Sequence, residues 1–151
     1  MRVFLGSDHA GYVLKTAIFR HLGELGHEPV DVGPHALVEG DDYPPYVLAT
    51  ARRVAADPGS LGVVLGGSGN GEAIAANKVD GIRAVLAWNE DTARLGREHN
   101  DANVISIGAR MHTVAEATHL LDVFVKTSFS QDPRHIRRIG MLTDYEQHRS
   151  N

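Results

Sequence analysis

Two observations predict that this chain folds as an α/β domain, with helices on both faces of a parallel sheet. Short β-branched apolar segments alternate five times with longer segments of helical periodicity, which is typical of strands joined by helical crossovers. The 151 residues, 42% hydrophobic and 23% charged, suffice for one globular domain with a sizeable core. We therefore expect a single three-layer α/β/α domain over residues 1–151, with five parallel strands and a polar tail from about residue 146.

The first strand and helix are predicted close to the N-terminus. Residues 2–7 form an apolar strand, and apolar residues at spacings of four, four and three then mark a helix from about Gly11. Gly26 ends this helix, because glycine readily takes the left-handed conformation that follows a helix C-terminus. Residues 28–32 are a short second strand, followed by a loop over residues 33–43 that is rich in glycine, proline and aspartate.

The middle of the chain repeats the alternation. A second helix is predicted to begin near Pro44 and Pro45, since proline is tolerated in a first helical turn, and to stop before Asp57. The β-branched run at residues 61–65 is a third, buried strand, and the alanine-rich residues 73–78 are a third helix.

Capping signals mark the remaining helices. Asn89 caps a helix whose first turn is acidic, and Thr113 with Glu116 forms a capping box for a helix that reaches about Lys126. The fourth strand is assigned to residues 83–87, the fifth to residues 104–107, and a last helix to the segment from Asp132 to about Tyr145.

Composition argues against several classes of function. A net charge of −4 gives no global field that would attract nucleic acid or anionic lipid. The absence of cysteine excludes a disulfide framework, a zinc–thiolate site and a thiol nucleophile. The first apolar run is too short for a signal peptide, and no segment approaches transmembrane length. We therefore expect a cytoplasmic protein that binds neither nucleic acid nor membranes.

The glycine-rich segment from Gly66 to Glu72 is the strongest indication of a functional site. It joins the third strand to the third helix, where bare amides and the helix dipole favour a bound anion. Two known phosphate loops do not fit. Glu72 stands where a P-loop needs lysine, and it also breaks the G-x-G-x-x-G fingerprint begun at Gly67. Four glycines together with Ser68, Asn70 and Glu72 favour a site over a plain strand-to-helix turn.

Two further positions combine acidic or basic side chains with strand or helix ends. Asp8 and His9 follow the first strand, at the edge where parallel sheets bind ligands. Asp8 is either a helix cap or an acceptor for sugar hydroxyls, and His9 is either an exposed loop residue or a donor to an anion. His99 closes the fourth helix, where it either complements the helix dipole or transfers protons near neutral pH.

Arginines are the candidate phosphate ligands. Arg134 and Arg138 share one face in the first turns of the last helix, where the helix dipole disfavours cations. A solvated helix face is the alternative, but guanidinium groups suit bidentate phosphate binding, and Arg110 follows the fifth strand. Among the nine histidines no H-x-x-x-H or H-E-x-x-H pattern occurs, so we predict no metal site.

With these motifs in place, the chain resembles the ribose-5-phosphate isomerase type B family, which includes the galactose-6-phosphate isomerase subunits. The matching segments cover nearly the whole chain in order: Gly6-Ser7-Asp8-His9-Ala10-Gly11, Asp42-Tyr43-Pro44, Gly67-Ser68-Gly69-Asn70-Gly71, Ala75-Asn77-Lys78, Arg83-Ala84, Glu98-His99-Asn100, Gly108-Ala109-Arg110, and Arg134-His135 with Arg138. The resemblance implies a five-stranded Rossmann-like subunit that forms a homodimer, or a tetramer, whose active sites draw residues from both partners. Many members carry a catalytic cysteine where this chain has Gly66, so the chain resembles the cysteine-free branch with a glutamate base at position 72.

The resemblance implies an aldose–ketose isomerase that interconverts ribose 5-phosphate and ribulose 5-phosphate through an enediolate, without metal or cofactor. His99 would open the furanose ring, Asp8 would hold sugar hydroxyls, and Glu72 would move the proton between C2 and C1. Ser68 would help to pass hydroxyl protons, and the loop amides would stabilise the oxyanion. The implied phosphate ligands are His9, Arg110, Arg134 and Arg138, with the last two from the neighbouring subunit. The other substrate-binding residues implied are Tyr43, Gly67, Gly69, Asn70, Gly71 and Asn100.

Alternatives to this function stay open. The same chemistry would serve another sugar phosphate, such as a tetrulose 4-phosphate, allose 6-phosphate or galactose 6-phosphate. A non-catalytic sugar-phosphate-binding protein would need the arginines but neither Glu72 nor His99. At Glu72 the helix N-terminus lowers the pKa, whereas burial raises it, and we expect a catalytic glutamate to be sequestered from water when substrate is bound.

Overall fold

The computed structural model describes residues 1–149, which form a single parallel sheet with helices on both faces. The predicted fold class is confirmed. The elements in order are β1 (Arg2–Ser7), α1 (Tyr12–Glu24), β2 (Glu28–Gly33), α2 (Tyr43–Ala56), β3 (Leu61–Gly66), α3 (Asn70–Ala76), β4 (Ala84–Leu86), α4 (Glu90–Asn100), β5 (Val104–Gly108), α5 (Val114–Lys126) and α6 (Pro133–His148).

The strand order is β2-β1-β3-β5-β4, and every pairing is parallel. β2 lies on one side of β1, whereas β3, the next strand in sequence, lies on the other side. The order therefore reverses between β1 and β3, which are paired up to Ser7 and Leu65. Loops that leave two such strands diverge and open a crevice at the carboxyl edge of the sheet, where α/β proteins bind ligands.

Two apolar clusters fill the space between the sheet and the helices. On one face, α1 and α5 bury side chains such as Ile18, Leu22 and Phe124 against alternate residues of β1, β3 and β5. On the other face, α2 and α3 bury Val47 and Ala76 against the opposite sides of the same strands. α1 follows β1 and α3 follows β3, so these two helices border the crevice. They lie on opposite faces of the sheet, because α1 packs in the first cluster and α3 in the second.

The end of the chain differs from the sequence prediction. α6 continues past Tyr145 to His148, so the start of the expected polar tail is helical. The Glu146 carboxylate accepts a hydrogen bond from the Gly81 amide at 3.0 Å, and this contact holds the last helical turn against the chain. The remaining tail residues, 150–151, lie outside the described residues. α3 also begins three residues before the alanine-rich segment, at Asn70, and β4 is shorter than expected.

The predicted caps of α4 and α5 are confirmed. The Asn89 side chain accepts from the Thr92 amide, and Thr113 accepts from Glu116 while the Glu116 carboxylate accepts from the Thr113 amide. Over residues 1–149, the helices are all too short or too polar to cross a membrane.

Candidate active site

The segment after β3 turns the chain so that Glu72 lies against the end of that strand. Gly69 has a φ of 82°, in the left-handed region, and its carbonyl accepts a hydrogen bond from the buried Ser106 hydroxyl at 2.6 Å. α3 therefore begins at Asn70 and carries Glu72 in its first turn. A Cβ at Gly66 would overlap the Glu72 carboxylate, so this side chain fills the space beside that glycine. The lack of a side chain at position 66 is what allows a glutamate to be buried there.

Burial changes the acidity of Glu72. The residue is 3% exposed, and burial raises the pKa of its carboxyl group, with a smaller contribution from the negative charge of Asp8. The backbone amides of Glu72 itself and of Gly69 act in the opposite direction. Of the two opposing effects, burial is therefore the larger, and Glu72 is a stronger base than an exposed glutamate.

Asp8 reaches the same place from β1. Its Oδ1 accepts a hydrogen bond from the Gly11 amide at 3.0 Å and so closes the turn before α1. The N-cap of α1 is Gly11, so the alternative that Asp8 caps this helix is wrong. A Cβ at Gly11 would lie 2.6 Å from the Leu65 carbonyl oxygen, so only glycine lets the start of α1 pack on the end of β3. This packing brings the buried Asp8 close enough to Glu72 to affect the pKa of that group.

His9 pairs with a carboxylate that sequence reasoning missed. The His9 amide donates to Asp41 Oδ1 at 2.7 Å, and His9 Nδ1 lies 3.0 Å from the same oxygen. The hydrogen bond to Asp41 raises the pKa of His9, and the charge of Asp8 adds to the effect. Asp41 lies in the loop of residues 33–43, directly before Asp42 of the Asp-Tyr-Pro motif. That adjacency was the only sequence signal for Asp41, because nothing local links residue 41 to residue 9.

The β5–α5 loop completes the crevice. The Ala109 and Arg110 amides donate to the Gly66 and Gly67 carbonyls at 2.7 and 3.0 Å, and these bonds join the loop to the glycine-rich segment. The exposed Arg110 guanidinium lies beside Gly67, where a Cβ would be 3.3 Å from Nη1. Arg110 is therefore placed to meet an anion that approaches the glycine amides.

Three more predicted residues are found at the glycine-rich segment: Tyr43 beside it, and Ser68 and Asn70 within it. The Tyr43 ring packs on Gly71, whose Cβ position would lie 2.7 Å from the Tyr43 hydroxyl oxygen. Ser68 Oγ accepts from the amide and side chain of Asn70 at 3.3 and 3.2 Å.

Among residues 1–149, no group of three or more histidine, aspartate or glutamate side chains is arranged to hold a metal ion.

His99 and the C-terminal arginines lie elsewhere. α4 starts after the carboxyl end of β4 and ends before the amino end of β5, so His99 and Asn100 lie at the amino edge of the sheet. The Asn100 carbonyl accepts from Arg83, which precedes β4, and this contact confirms the placement. The first turns of α6 contact the end of α4 through the rings of His135 and His99, and they carry the exposed Arg134 and Arg138. Within one chain, the structure therefore does not bring His99 to Glu72.

His99 packs against a second histidine, His135, to which the sequence analysis gave no role of its own. The rings of His99 and His135 pack with their centroids 4.3 Å apart. His135 is 5% exposed, and its Nδ1 lies 2.8 Å from the Ser130 hydroxyl. Burial, and after it the neighbouring His99, lowers the pKa of His135. His99 thus packs against a buried imidazole whose neutral form is favoured.

We expect Gly66→Ala to lower kcat by about a hundredfold, because the new methyl group would displace the Glu72 carboxylate. Steady-state kinetics together with thermal unfolding measure the effect. Gly23→Ala is the matched control, since a Cβ at this helical position meets nothing within 4 Å, and it should leave activity unchanged. Full activity of Gly66→Ala would contradict the placement of Glu72.

Proteins of known family resemble this chain over nearly its whole length. The ribose/galactose isomerase family model matches residues 3–142. Ribose-5-phosphate isomerase B of Mycobacterium tuberculosis is 59% identical over 147 residues, 97% of this chain and 91% of the relative. The protein of the same name from Mycolicibacterium paratuberculosis is 58% identical, with 97% and 92% covered. The structure of ribose-5-phosphate isomerase B from Mycoplasma genitalium with bound ribulose-5-phosphate aligns with a TM-score of 0.93 at 37% identity, covering 97% of each chain.

Proposed function

The chain belongs to the ribose/galactose isomerase family, and from this premise we propose how its residues interconvert ribose 5-phosphate and ribulose 5-phosphate. It is an isomerase, and the proposal concerns the groups that move protons and hold the sugar phosphate. The observation that carries the proposal is Glu72, a buried carboxylate with a raised pKa beside the amides of a glycine-rich segment. Such a group is suited to remove a proton from carbon.

Glu72 takes the proton from C2 of the open-chain aldose, and the electrons of that C–H bond form the double bond of the enediolate. The C1 oxygen becomes an oxyanion, which the amides of residues 67–71 stabilise. Glu72 then returns the proton to C1 while the O2 hydroxyl proton passes to the C1 oxygen, and the ketose results. The Asp8 oxygen that Gly11 leaves free accepts a hydrogen bond from a sugar hydroxyl, and Ser68 passes hydroxyl protons.

The phosphate of the substrate binds on the exposed side of the crevice. His9 and Arg110 are the cationic groups that this chain presents there. Both donate hydrogen bonds to phosphate oxygens, and a charge-assisted bond of this kind is stronger than a neutral one. The phosphate thereby holds the sugar in one orientation, with C1 and C2 towards Glu72.

The rest of the site comes from a second copy of the chain. α6 buries one side chain, His135, in its own subunit and exposes Met141, Leu142 and Tyr145 on one face, where they are 55–68% exposed. An exposed apolar face of this kind is typical of a subunit interface. In a homodimer, the partner supplies His99 for ring opening and Arg134 and Arg138 for the phosphate. The proposal explains why one chain holds these residues apart from Glu72.

Turnover of ribose 5-phosphate in deuterated water, after treatment with a chelator, tests the proposed function. We expect full activity without added metal and deuterium at C1 of ribulose 5-phosphate, because the Glu72 proton exchanges with solvent during the reaction. Allose 6-phosphate, galactose 6-phosphate and a tetrulose 4-phosphate run in parallel identify the preferred substrate by kcat/KM. Binding of all the sugar phosphates without any turnover would instead support a sensor.

The acidic limb of the pH profile reports on Glu72. The base must be ionised to act, so kcat/KM is expected to fall as the pH drops through the pKa of Glu72. Because burial raises that pKa, the loss should begin at a higher pH than for an exposed glutamate. Kinetics between pH 4 and pH 8, with a stability check at each pH, measure the limb. A flat profile through the acidic range would contradict the assignment.

We also propose that the protein acts in the cytoplasm, where small phosphorylated sugars are interconverted. The absence of cysteine from the sequence is consistent with that location.

A further inference from the structure

We propose that Asp41 is a positioning residue that keeps the His9 imidazole doubly protonated, so that His9 can donate a hydrogen bond to the substrate phosphate. The inference rests on the proposed function, in which His9 binds phosphate, and adds a residue to which neither the motifs nor the comparisons assign a role. Asp41 touches His9 and reaches the phosphate only through it.

The contact with Asp41 determines which nitrogen of His9 is left for a ligand. Asp41 Oδ1 accepts the His9 amide at 2.7 Å and lies 3.0 Å from Nδ1, so it holds both the backbone and the ring of this residue. A ring whose Nδ1–H donates to a carboxylate has only Nε2 left for a ligand. In the neutral imidazole that nitrogen carries no proton and cannot donate to phosphate. His9 therefore binds an anion well only when both of its nitrogens are protonated.

The burial of Asp41 favours that charged state. The Asp41 side chain is 8% exposed, and its Oδ2 is buried with no hydrogen-bond partner among residues 1–149. A buried carboxylate with an unsatisfied oxygen is unfavourable unless a positive charge lies beside it. Within the described part of the chain, the positive charge that its hydrogen bonds can reach is that of a protonated His9. The Asp41 carboxylate thus stabilises the protonated form of His9.

A second negative charge, that of Asp8, also raises the pKa of the His9 ring. The negative charge of Asp8, the residue before His9, favours the protonated ring, while partial burial of the ring opposes protonation. The balance raises the pKa of His9 above its usual value. Stability linked to this pair is present at low pH and is lost as the pH rises through the raised pKa. Phosphate affinity should fall over the same range.

Asp41→Asn tests the inference, because asparagine can still accept the His9 hydrogen bonds but carries no charge. We expect an NMR titration to show the pKa of the His9 ring lowered by about one unit, with the His9 signals assigned by their absence in His9→Gln. Inorganic phosphate, titrated as the probe, should bind about tenfold more weakly to Asp41→Asn than to wild type at pH 8. At pH 5.5 the two proteins should bind it equally, since His9 is protonated in both.

Controls separate this role from a structural one. Glu39→Gln removes an exposed carboxylate from the same loop and should change neither titration. In a His9→Gln background, Asp41→Asn should no longer alter the pH dependence of phosphate binding. Weakening by the same factor at pH 5.5 and pH 8, or an unchanged His9 titration, would overturn the inference. The NMR titration needs no turnover, so a failure of the proposed function would appear separately, as a wild type inactive on every sugar phosphate.

Discussion

Glu72→Gln is expected to lower kcat by about 10²- to 10⁴-fold with little change in KM, the range that general acid–base groups contribute. Glutamine keeps the shape of the side chain, so the substrate still binds. Its neutral amide cannot accept the C2 proton, so the enediolate does not form. The same substitution should abolish deuterium exchange into recovered ribose 5-phosphate, because exchange needs the first proton transfer only. Steady-state kinetics and NMR of the recovered sugar measure the two effects.

Stability measurements distinguish lost chemistry from lost structure. Burial raises the pKa of Glu72, so at neutral pH the ionised group lowers the stability of the folded state. Removal of that charge should leave the thermal unfolding midpoint of Glu72→Gln equal to or above that of wild type, a trade-off common at active sites. Glu90→Gln, which changes an exposed glutamate in the first turn of α4, should retain full activity. Substantial turnover by a stable Glu72→Gln protein would rule out Glu72 as the base.

Two inactive variants are expected to restore activity when they are mixed. Glu72 lies at the carboxyl edge of the sheet and His99 at the amino edge, so a shared site must take them from different subunits. When Glu72→Gln and His99→Asn subunits exchange at random, about half of the dimers are mixed, and each mixed dimer has one complete site. Recovery should therefore approach about a quarter of wild-type activity. Refolding of an equimolar mixture, followed by a turnover assay, measures it.

A second pair of variants is the control for this mixing experiment. Glu72 and Asp8 belong to the same crevice of one chain, so Glu72→Gln mixed with Asp8→Asn leaves both sites of every mixed dimer defective. No recovery is expected from that pair, although native mass spectrometry should find as many mixed dimers. Equal recovery from both pairs, or no recovery from the first, would contradict a site shared in this way.

Local sequence patterns predicted much of the fold correctly, because they depend on interactions between residues that are close in sequence. The capping of α4 by Asn89 and of α5 by Thr113 follows from hydrogen bonds between neighbours in sequence, and the structure reproduces both. The end of α6 could not be read in this way. Its last turn is held by the contact of Glu146 with Gly81, sixty-five residues away, whereas the local sequence is merely polar.

In the candidate site, too, local sequence patterns identified some residues, and only tertiary contacts identified the others. The glycine-rich segment and Glu72 stood out because their residue types and spacing are unusual. Asp41 did not, since its contact with His9 forms only where the loop before α2 reaches a residue thirty-two positions earlier.

By itself, the sequence determined the α/β class, the five strands and the family, because periodicity, caps and motifs are properties of contiguous residues. The tertiary structure decided the rest. The reversal of strand order between β1 and β3 brings Asp8 beside Glu72, and packing decides that burial outweighs the amides in the pKa of Glu72. Packing also sends His99 to the opposite edge from Glu72. These outcomes depend on contacts between distant segments, which no local pattern encodes.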